Sequence, residues 1–339
     1  MSTTKFRVAV LDDFEKLVDS APAYEKLKER ADVTIWSKRL DSPERIEQAL
    51  SDTDCLLLMR ERTSLSDKEF ALLPKLKLIS QTGRTSKHLD MQAATRRGIA
   101  VAGTPSDNGL TTKELAIGLI IALMRKIPLV DRRMREESWP PIPGLTLEGK
   151  TIGVLGFGRI GREVGRIIKM FDTRVIAYAR TLTPEKATPW GVESVTFDTL
   201  LRESDLITIH VPLNANTRGM IGEKEIAAMK PGALLVNTSR GPLISEPALI
   251  HALQTGHLGG AALDVYDVEP LPLESPLRRL ENTILLPHRG YATVEILRQR
   301  YNLAMENILA FMDGKPLDLL NPEVQAQNPE IKRNPQSRG

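Results

Sequence analysis

The sequence has a single cysteine, no membrane-length apolar run and no excess of either charge. Cys55 is the only cysteine among 339 residues, so an internal disulfide and a thiolate metal cluster are both excluded, and a reducing, cytoplasmic setting is expected. Five scattered histidines add no metal-ligand spacing, and no metal is expected. The longest apolar run, 115–124, lies between Lys113-Glu114 and Arg125-Lys126. It is roughly half a membrane span and reads as a buried helix, so no membrane association is expected. Residues 1–11 lack the apolar core and cleavage site of a secretion signal. Lys and Arg number 46 against 43 Asp and Glu, a net charge of +3. The two signs are interleaved without a basic stripe, so no nucleic-acid partner is expected. No internal repeat of fixed period is visible.

What remains is a chain of ordinary globular composition, long enough for about two domains. Short apolar runs at 6–11, 33–36, 54–59, 76–80 and 99–101 alternate with helix-like stretches at 22–29, 43–50 and 67–73. That alternation predicts parallel strands with helical crossovers. A long helix is expected over 111–126. The stretch 131–150 runs into Trp139-Pro140-Pro141-Ile142-Pro143-Gly144 and reads as a loop or extended arm. Six further strands are expected at 151–155, 174–178, 206–211, 233–237, 261–265 and 283–286, then a helix over 294–312. The fold class is therefore α/β with two doubly wound parallel-sheet domains, one flavodoxin-like and one of the Rossmann type. The expected division is 1–103 plus 295–320 for the catalytic domain, 104–294 for the nucleotide domain, and 321–339 as a mobile polar tail.

Gly156-Phe157-Gly158-Arg159-Ile160-Gly161 fits G-x-G-x-x-G between the strand at 151–155 and a helical pattern over 159–170. In that context the first glycine permits the turn, the second admits a pyrophosphate and the third lets helix and strand pack closely. The helix start supplies amide donors. No carboxylate follows the next strand until Glu185; the segment ends Ala179-Arg180-Thr181. Arg180 and Thr181 suit a ribose 2′-phosphate, which predicts NADP. The alternative is that Arg180 is a solvated loop residue and NAD binds.

Three strand-like runs end in polar residues: Asn237-Thr238-Ser239-Arg240-Gly241, Asp264 to Pro270 with Glu269, and Pro287-His288-Arg289-Gly290. Ligands bind beyond the carboxyl ends of parallel strands, so Arg240, Glu269 and His288 are expected to converge there. Reduction of a 2-keto acid needs a cation for the carboxylate, a general acid at the carbonyl oxygen and a carboxylate to orient that acid. Singly, Arg240 could be a surface ion-pair partner, Glu269 a turn residue and His288 a strand-end cap.

With the run 147–161, His210-Val211-Pro212-Leu213, Thr217-Arg218-Gly219, Met229-Lys230-Pro231-Gly232-Ala233, Val236 to Gly241, Ala262-Leu263-Asp264-Val265, Val268-Glu269-Pro270 and Pro287-His288, the sequence resembles the D-isomer-specific 2-hydroxyacid dehydrogenases. The likeness is greatest over 104–314 and thin before Gly83. It implies Arg240 as substrate anchor, His288 as proton donor in reduction and Glu269 as its partner. It places Asp264 at the nicotinamide carboxamide, and His210, Val211, Pro212, Thr217, Thr238, Ser239 and Gly290 along the cofactor. It further implies a discontinuous catalytic domain, a cleft that closes on substrate and a homodimer joined by the arm around Trp139. The loop Thr82-Gly83-Arg84 stands where relatives hold the substrate carboxylate with small residues. Arg84, with Arg60 or Arg62, could add positive charge for a second acidic group; the alternative is solvated arginines. The expected activity is reduction of a small 2-keto acid, glyoxylate or hydroxypyruvate first. A phosphoglycerate dehydrogenase is the runner-up, weakened because the chain ends soon after Pro316. A dinucleotide-sensing corepressor-like protein is the reading from another class.

Overall fold

A computed structural model describes residues 5–105, 109–136 and 139–335. The chain forms two compact units, Met1–Asp107 with Thr293–Gly339, and Asn108–Ala292.

The first unit alternates β1 (Phe6–Leu11), α1 (Ala23–Arg30), β2 (Ala31–Ile35), α2 (Pro43–Leu50), β3 (Cys55–Leu58), α3 (Asp67–Ala71), β4 (Leu78–Gln81), α4 (Met91–Arg96) and β5 (Ala100–Gly103). Its five strands are parallel in the order β2-β1-β3-β4-β5, the flavodoxin-like arrangement. Every residue of β3, β4 and β5 is buried, as expected where helices cover both faces of a parallel sheet. Cys55 is fully buried in β3, and burial pushes its thiol far above the usual range. Asp90 caps α4 through the amide of Ala93; this short helix escaped the sequence pattern because it is barely one and a half turns.

The second unit contains α5 (Leu110–Met124), α6 (Ile127–Glu136), β6 (Thr151–Leu155), α7 (Arg159–Ile168), β7 (Arg174–Tyr178), α8 (Pro184–Ala187), β8 (Glu193–Ser194), α9 (Phe197–Glu203), β9 (Leu206–Ile209), α10 (Glu223–Ala228), β10 (Ala233–Asn237), α11 (Glu246–Thr255), β11 (Leu258–Leu263) and β12 (Thr283–Leu285). Its seven parallel strands run β12-β11-β10-β9-β6-β7-β8. The order reverses between β6 and β9, the switch point at which such sheets bind ligands. Alternation along a strand builds a core on each face: Leu234 and Val236 of β10 join Leu119, Ile120 and Val164, while Ala233 and Leu235 join Leu200, Ile226 and Leu249. Two expectations are corrected. The stretch from 131 begins as helix, because α6 continues to Glu136 with an Asp131–Arg135 ion pair one turn apart (2.9 Å). A seventh, two-residue strand, β8, lies at the sheet edge.

The final helix, α12 (Val294–Met312), belongs to the first unit. Tyr301, Ala304, Met305 and Ile308 form its buried face, Ser80 Oγ donates to the Ala304 carbonyl (2.8 Å), and Asn302 Oδ1 accepts from the Ala23 amide (2.7 Å). Of the polar tail expected over 321–339, residues 336–339 lie outside the described residues, and 321–335 are anchored to the unit by the buried Asn321, Val324 and Ile331. Asn321 is 2 % exposed and Val324 fully buried. Asn321 accepts from the Val101 amide (2.8 Å) and donates to the Ile99 carbonyl (2.9 Å), so its amide substitutes for a strand partner at the β5 edge.

Candidate active site

The glycine turn after β6 shows three different reasons for three glycines. Gly156 has φ +97°, and a Cβ there would lie 2.6 Å from the His210 carbonyl carbon. A Cβ on Gly161 would lie 2.0 Å from the Gly156 carbonyl oxygen. At Gly158 a Cβ would meet nothing within 4 Å among the described residues, so the space before the start of α7 is open on that side. No side chain among the described residues caps α7, which leaves its first amides, including those of Arg159 and Ile160, for a ligand. Thr238 Oγ1 and Thr111 Oγ1 are buried with no hydrogen-bond partner among the described residues. An open glycine cradle, uncapped amides and orphaned hydroxyls suit a dinucleotide.

Around this turn, Ser239 Oγ donates to the Val211 carbonyl (2.5 Å), and Thr217 Oγ1 donates to the Pro212 carbonyl (2.7 Å), so both hydroxyls brace the 211–217 loop. The half-buried His210 bonds Thr208 Oγ1 through Nε2 (2.9 Å), and burial pushes its pKa down to about 4. The ring is therefore neutral in ordinary buffers. Arg180 and Thr181 lie in the exposed turn after β7, where Arg180 makes no hydrogen bond or ion pair among the described residues.

At the ends of β10, β11 and β12 the polar residues do come together. His288 Nδ1 donates to Glu269 Oε2 (2.7 Å), and Glu269 Oε1 accepts from the Tyr266 amide (3.0 Å). Burial alone would raise the Glu269 carboxyl, but the His288 and Tyr266 bonds and the nearby Arg240 charge outweigh it and hold the group below the usual carboxylate range. Arg240 is exposed just beyond β10, its carbonyl bonded by Asn237 Nδ2 (2.9 Å) and its guanidinium by the Ser239 carbonyl (2.6 Å). His288 has φ 54°, a conformation that residues with a Cβ avoid unless they are held in it. Asp264 holds it by taking three successive amides: its carbonyl accepts from His288 (2.9 Å), Oδ1 from Arg289 (2.6 Å) and Oδ2 from Gly290 (2.8 Å). Burial raises the Asp264 carboxyl despite those bonds. The Gly290 carbonyl in turn accepts from Thr112 Oγ1 (3.1 Å).

Two supporting residues were not singled out from sequence. Asn237 closes an Asx turn under Arg240 by accepting from the Ser239 amide (2.9 Å), a role the Asn-Thr-Ser order hints at. Tyr266 directs its hydroxyl between the carbonyls of Leu263 (3.1 Å) and Leu286 (3.0 Å), tying together the strand ends that carry Asp264 and His288. Nothing in the sequence announces that second role.

Arg60, Gly83 and Arg84 lie at the carboxyl edge of the first unit's own sheet. Gly83 has φ +91° with open space at its Cβ position, but its amide is already given to Thr104 Oγ1 (2.8 Å). The arginines there meet carboxylates of the same unit: Arg60 with Glu61, Arg62 with Glu15 and Arg84 with Asp318.

A dinucleotide cradle at the switch point of a parallel sheet, with a proton-carrying imidazole and an exposed guanidinium beyond neighbouring strands of that sheet, defines a nicotinamide-dependent oxidoreductase. Residues 117–290 match the family described as D-isomer specific 2-hydroxyacid dehydrogenase, NAD binding domain. A glyoxylate reductase of Thermococcus litoralis is 42% identical over 76% of this chain and 80% of its own. A D-3-phosphoglycerate dehydrogenase of Archaeoglobus fulgidus is 38% identical over 77% of this chain and 50% of its own. The crystal structure of a phosphoglycerate oxidoreductase from Vibrio cholerae O395 superposes with TM-score 0.82 at 31% identity, covering 91% of this chain and 99% of that one. The chain belongs to the D-isomer-specific 2-hydroxyacid dehydrogenase family and is an oxidoreductase acting on CH–OH donors.

Proposed function

We propose that the protein reduces small 2-keto acids, with glyoxylate and hydroxypyruvate as first substrates and NADPH as preferred reductant. The observation that carries this reading is the 2.7 Å bond between His288 Nδ1 and Glu269, because it leaves Nε2 as the ring's remaining proton site. The bound nicotinamide supplies the hydride that arrives at C2 of the keto acid. Arg240 takes the substrate carboxylate and draws electron density from the adjacent carbonyl. His288 passes its Nε2 proton to the C2 oxygen as negative charge develops there, giving the 2-hydroxy acid. Glu269 stabilises the imidazolium and keeps its ring plane fixed. Asp264 and Gly290 shape the loop that carries His288, and in this reading Asp264 would also hold the carboxamide of a bound nicotinamide. Gly156, Gly158, Arg159, Ile160 and Gly161 would cradle the pyrophosphate. His210, Val211, Pro212, Thr217, Thr238 and Ser239 would line the remainder of the dinucleotide.

The NADP preference is supported by Arg180, exposed and unengaged among the described residues, with Thr181 beside it. A homodimer is supported by the apolar side chains Ile127, Met134, Trp139 and Leu145, close in sequence and all exposed, Trp139 by 85 %. A cytoplasmic location is part of the same reading; no helix among the described residues is long and apolar enough to cross a membrane. The test is spectrophotometric. Oxidation of NADPH and NADH is followed with glyoxylate, hydroxypyruvate, pyruvate and phosphohydroxypyruvate. Dinucleotide binding without turnover of any keto acid would overturn the reductase reading and favour a sensor.

A further inference from the structure

Tyr266 belongs to the same core as Leu235, Leu249, Leu263 and Leu277. Beside it, the parallel pairing of β11 with β12 gives the Ala261 amide to the Asn282 carbonyl (3.0 Å) and the Leu286 amide to the Leu263 carbonyl (2.9 Å). Continued by one rung, the pattern would give the Val265 amide to the Leu286 carbonyl and the His288 amide to the Val265 carbonyl. The chain departs from it. The His288 amide takes the Asp264 carbonyl (2.9 Å), one residue early, at the point where His288 enters its left-handed conformation. At the Leu286 carbonyl the Tyr266 hydroxyl donates (3.0 Å), and it lies 3.1 Å from the Leu263 carbonyl as well. A side chain thus stands where the next rung would be. Through its backbone the same residue reaches the other polar groups of the site. Its amide donates to Glu269 Oε1 (3.0 Å), while His288 Nδ1 holds Oε2 of that carboxylate (2.7 Å). A Cβ on Gly241 would lie 2.0 Å from the Tyr266 carbonyl carbon, so the residue after Arg240 is pressed against the Tyr266 backbone. All of these groups belong to the second unit. Burial pushes the phenol up to about 12, so the hydroxyl keeps its proton in ordinary buffers.

We propose that Tyr266 is a positioning residue for proton transfer: its hydroxyl fixes the start of the His288 loop, its amide fixes the Glu269 carboxylate, and together they hold the Nδ1–Oε2 bond in the geometry that aims Nε2 at the keto oxygen. The proposal rests on the reductase reading and adds to it a residue that acts through His288. Packing alone does not ask for the phenolic oxygen, since phenylalanine would fill the same space without a polar atom to satisfy. Proton transfer does ask for it, because a donor displaced by a fraction of an ångström loses rate. Binding is carried elsewhere in the unit, by Arg240 for the carboxylate and by the glycine turn for the dinucleotide.

The experiment is Tyr266→Phe, assayed with glyoxylate and NADPH or NADH. Its kcat is expected to fall by about tenfold, with the KM for glyoxylate and the dinucleotide Kd unchanged. A double variant decides whether the hydroxyl acts through the imidazole. In a His288→Ala background, Tyr266→Phe should lower the residual kcat by less than about twofold. Ile226→Val thins the same core from α10 and serves as the stability control, with a lower Tm and an unchanged kcat. The proposal is overturned if Tyr266→Phe keeps the wild-type kcat, or if the dinucleotide Kd rises along with the loss of rate. It is overturned as well if the Phe substitution costs the His288→Ala background the same factor as the wild type. A Phe variant that does not fold would mark the hydroxyl as a requirement of the core, and that too would overturn it. All of these outcomes leave wild-type turnover of glyoxylate intact, whereas absence of any keto-acid reduction by the wild type would remove the reductase reading itself.

Discussion

His288 sits in a left-handed backbone conformation that costs on the order of 1 kcal/mol, and Asp264 offsets that cost by engaging the amides of residues 288, 289 and 290. Such an arrangement places an imidazole where neither strand nor loop propensity would put it. His288→Ala is expected to lower kcat by about 10²–10⁴ while leaving the dinucleotide Kd unchanged, as measured by fluorescence titration. Glu269→Gln removes the negative partner of the His288 ring and should lower kcat by about tenfold or more while leaving the dinucleotide Kd unchanged. The sign for Glu269 itself follows from its lowered pKa. The stability that the ionised carboxylate contributes is present at neutral pH and is lost as the pH falls through its folded-state pKa. Wild type and Glu269→Gln should therefore converge in Tm toward acid pH.

At the scale of elements, the glycine turn and the C-terminal segment make separable predictions. Gly161→Ala forces a Cβ against the Gly156 carbonyl at 2.0 Å and should destabilise the second unit by about 1–3 kcal/mol through overpacking, read as a lower Tm. Gly158→Ala meets nothing within 4 Å among the described residues and has an ordinary φ of −80°. It should fold with an unchanged Tm yet bind dinucleotide more weakly, which isolates the ligand as the reason for that glycine. Asn321→Ala leaves the Val101 amide and the Ile99 carbonyl without their partner and should cost about 2 kcal/mol, measurable by denaturant unfolding.

For the whole molecule, pH and coenzyme are the informative variables. His210 has its pKa pushed down to about 4, so the unfolded chain binds more protons than the folded one between that value and about 6.5. Stability must then fall as the pH drops through that window, by on the order of 2 kcal/mol from this residue. His210→Gln should flatten that part of a Tm–pH curve. Arg180→Gln tests the coenzyme reading: the NADPH-over-NADH ratio of kcat/KM should fall by about tenfold or more, with little change for NADH itself.

Strand–helix alternation, the glycine motif and the strand-end polar residues were legible along the chain because each is a local pattern: period two, period 3.6, or a turn with a required φ. Arg240, Glu269 and His288 could be singled out since polar residues directly after an apolar strand add nothing to the core and stand where a parallel sheet meets its ligands. The pairing of Arg84 with Asp318, the packing of 321–335 on β5, the short helix α4 and the hydroxyl of Tyr266 between two strand ends were not legible. Each depends on which distant segments meet, and that is decided by burial of apolar area and satisfaction of backbone groups summed over the fold rather than by neighbours in sequence. Residue identity alone thus determined the architecture and the reaction class, while tertiary contacts decided which charges remain available, because an arginine's charge is useful to a ligand only when no nearby carboxylate already balances it.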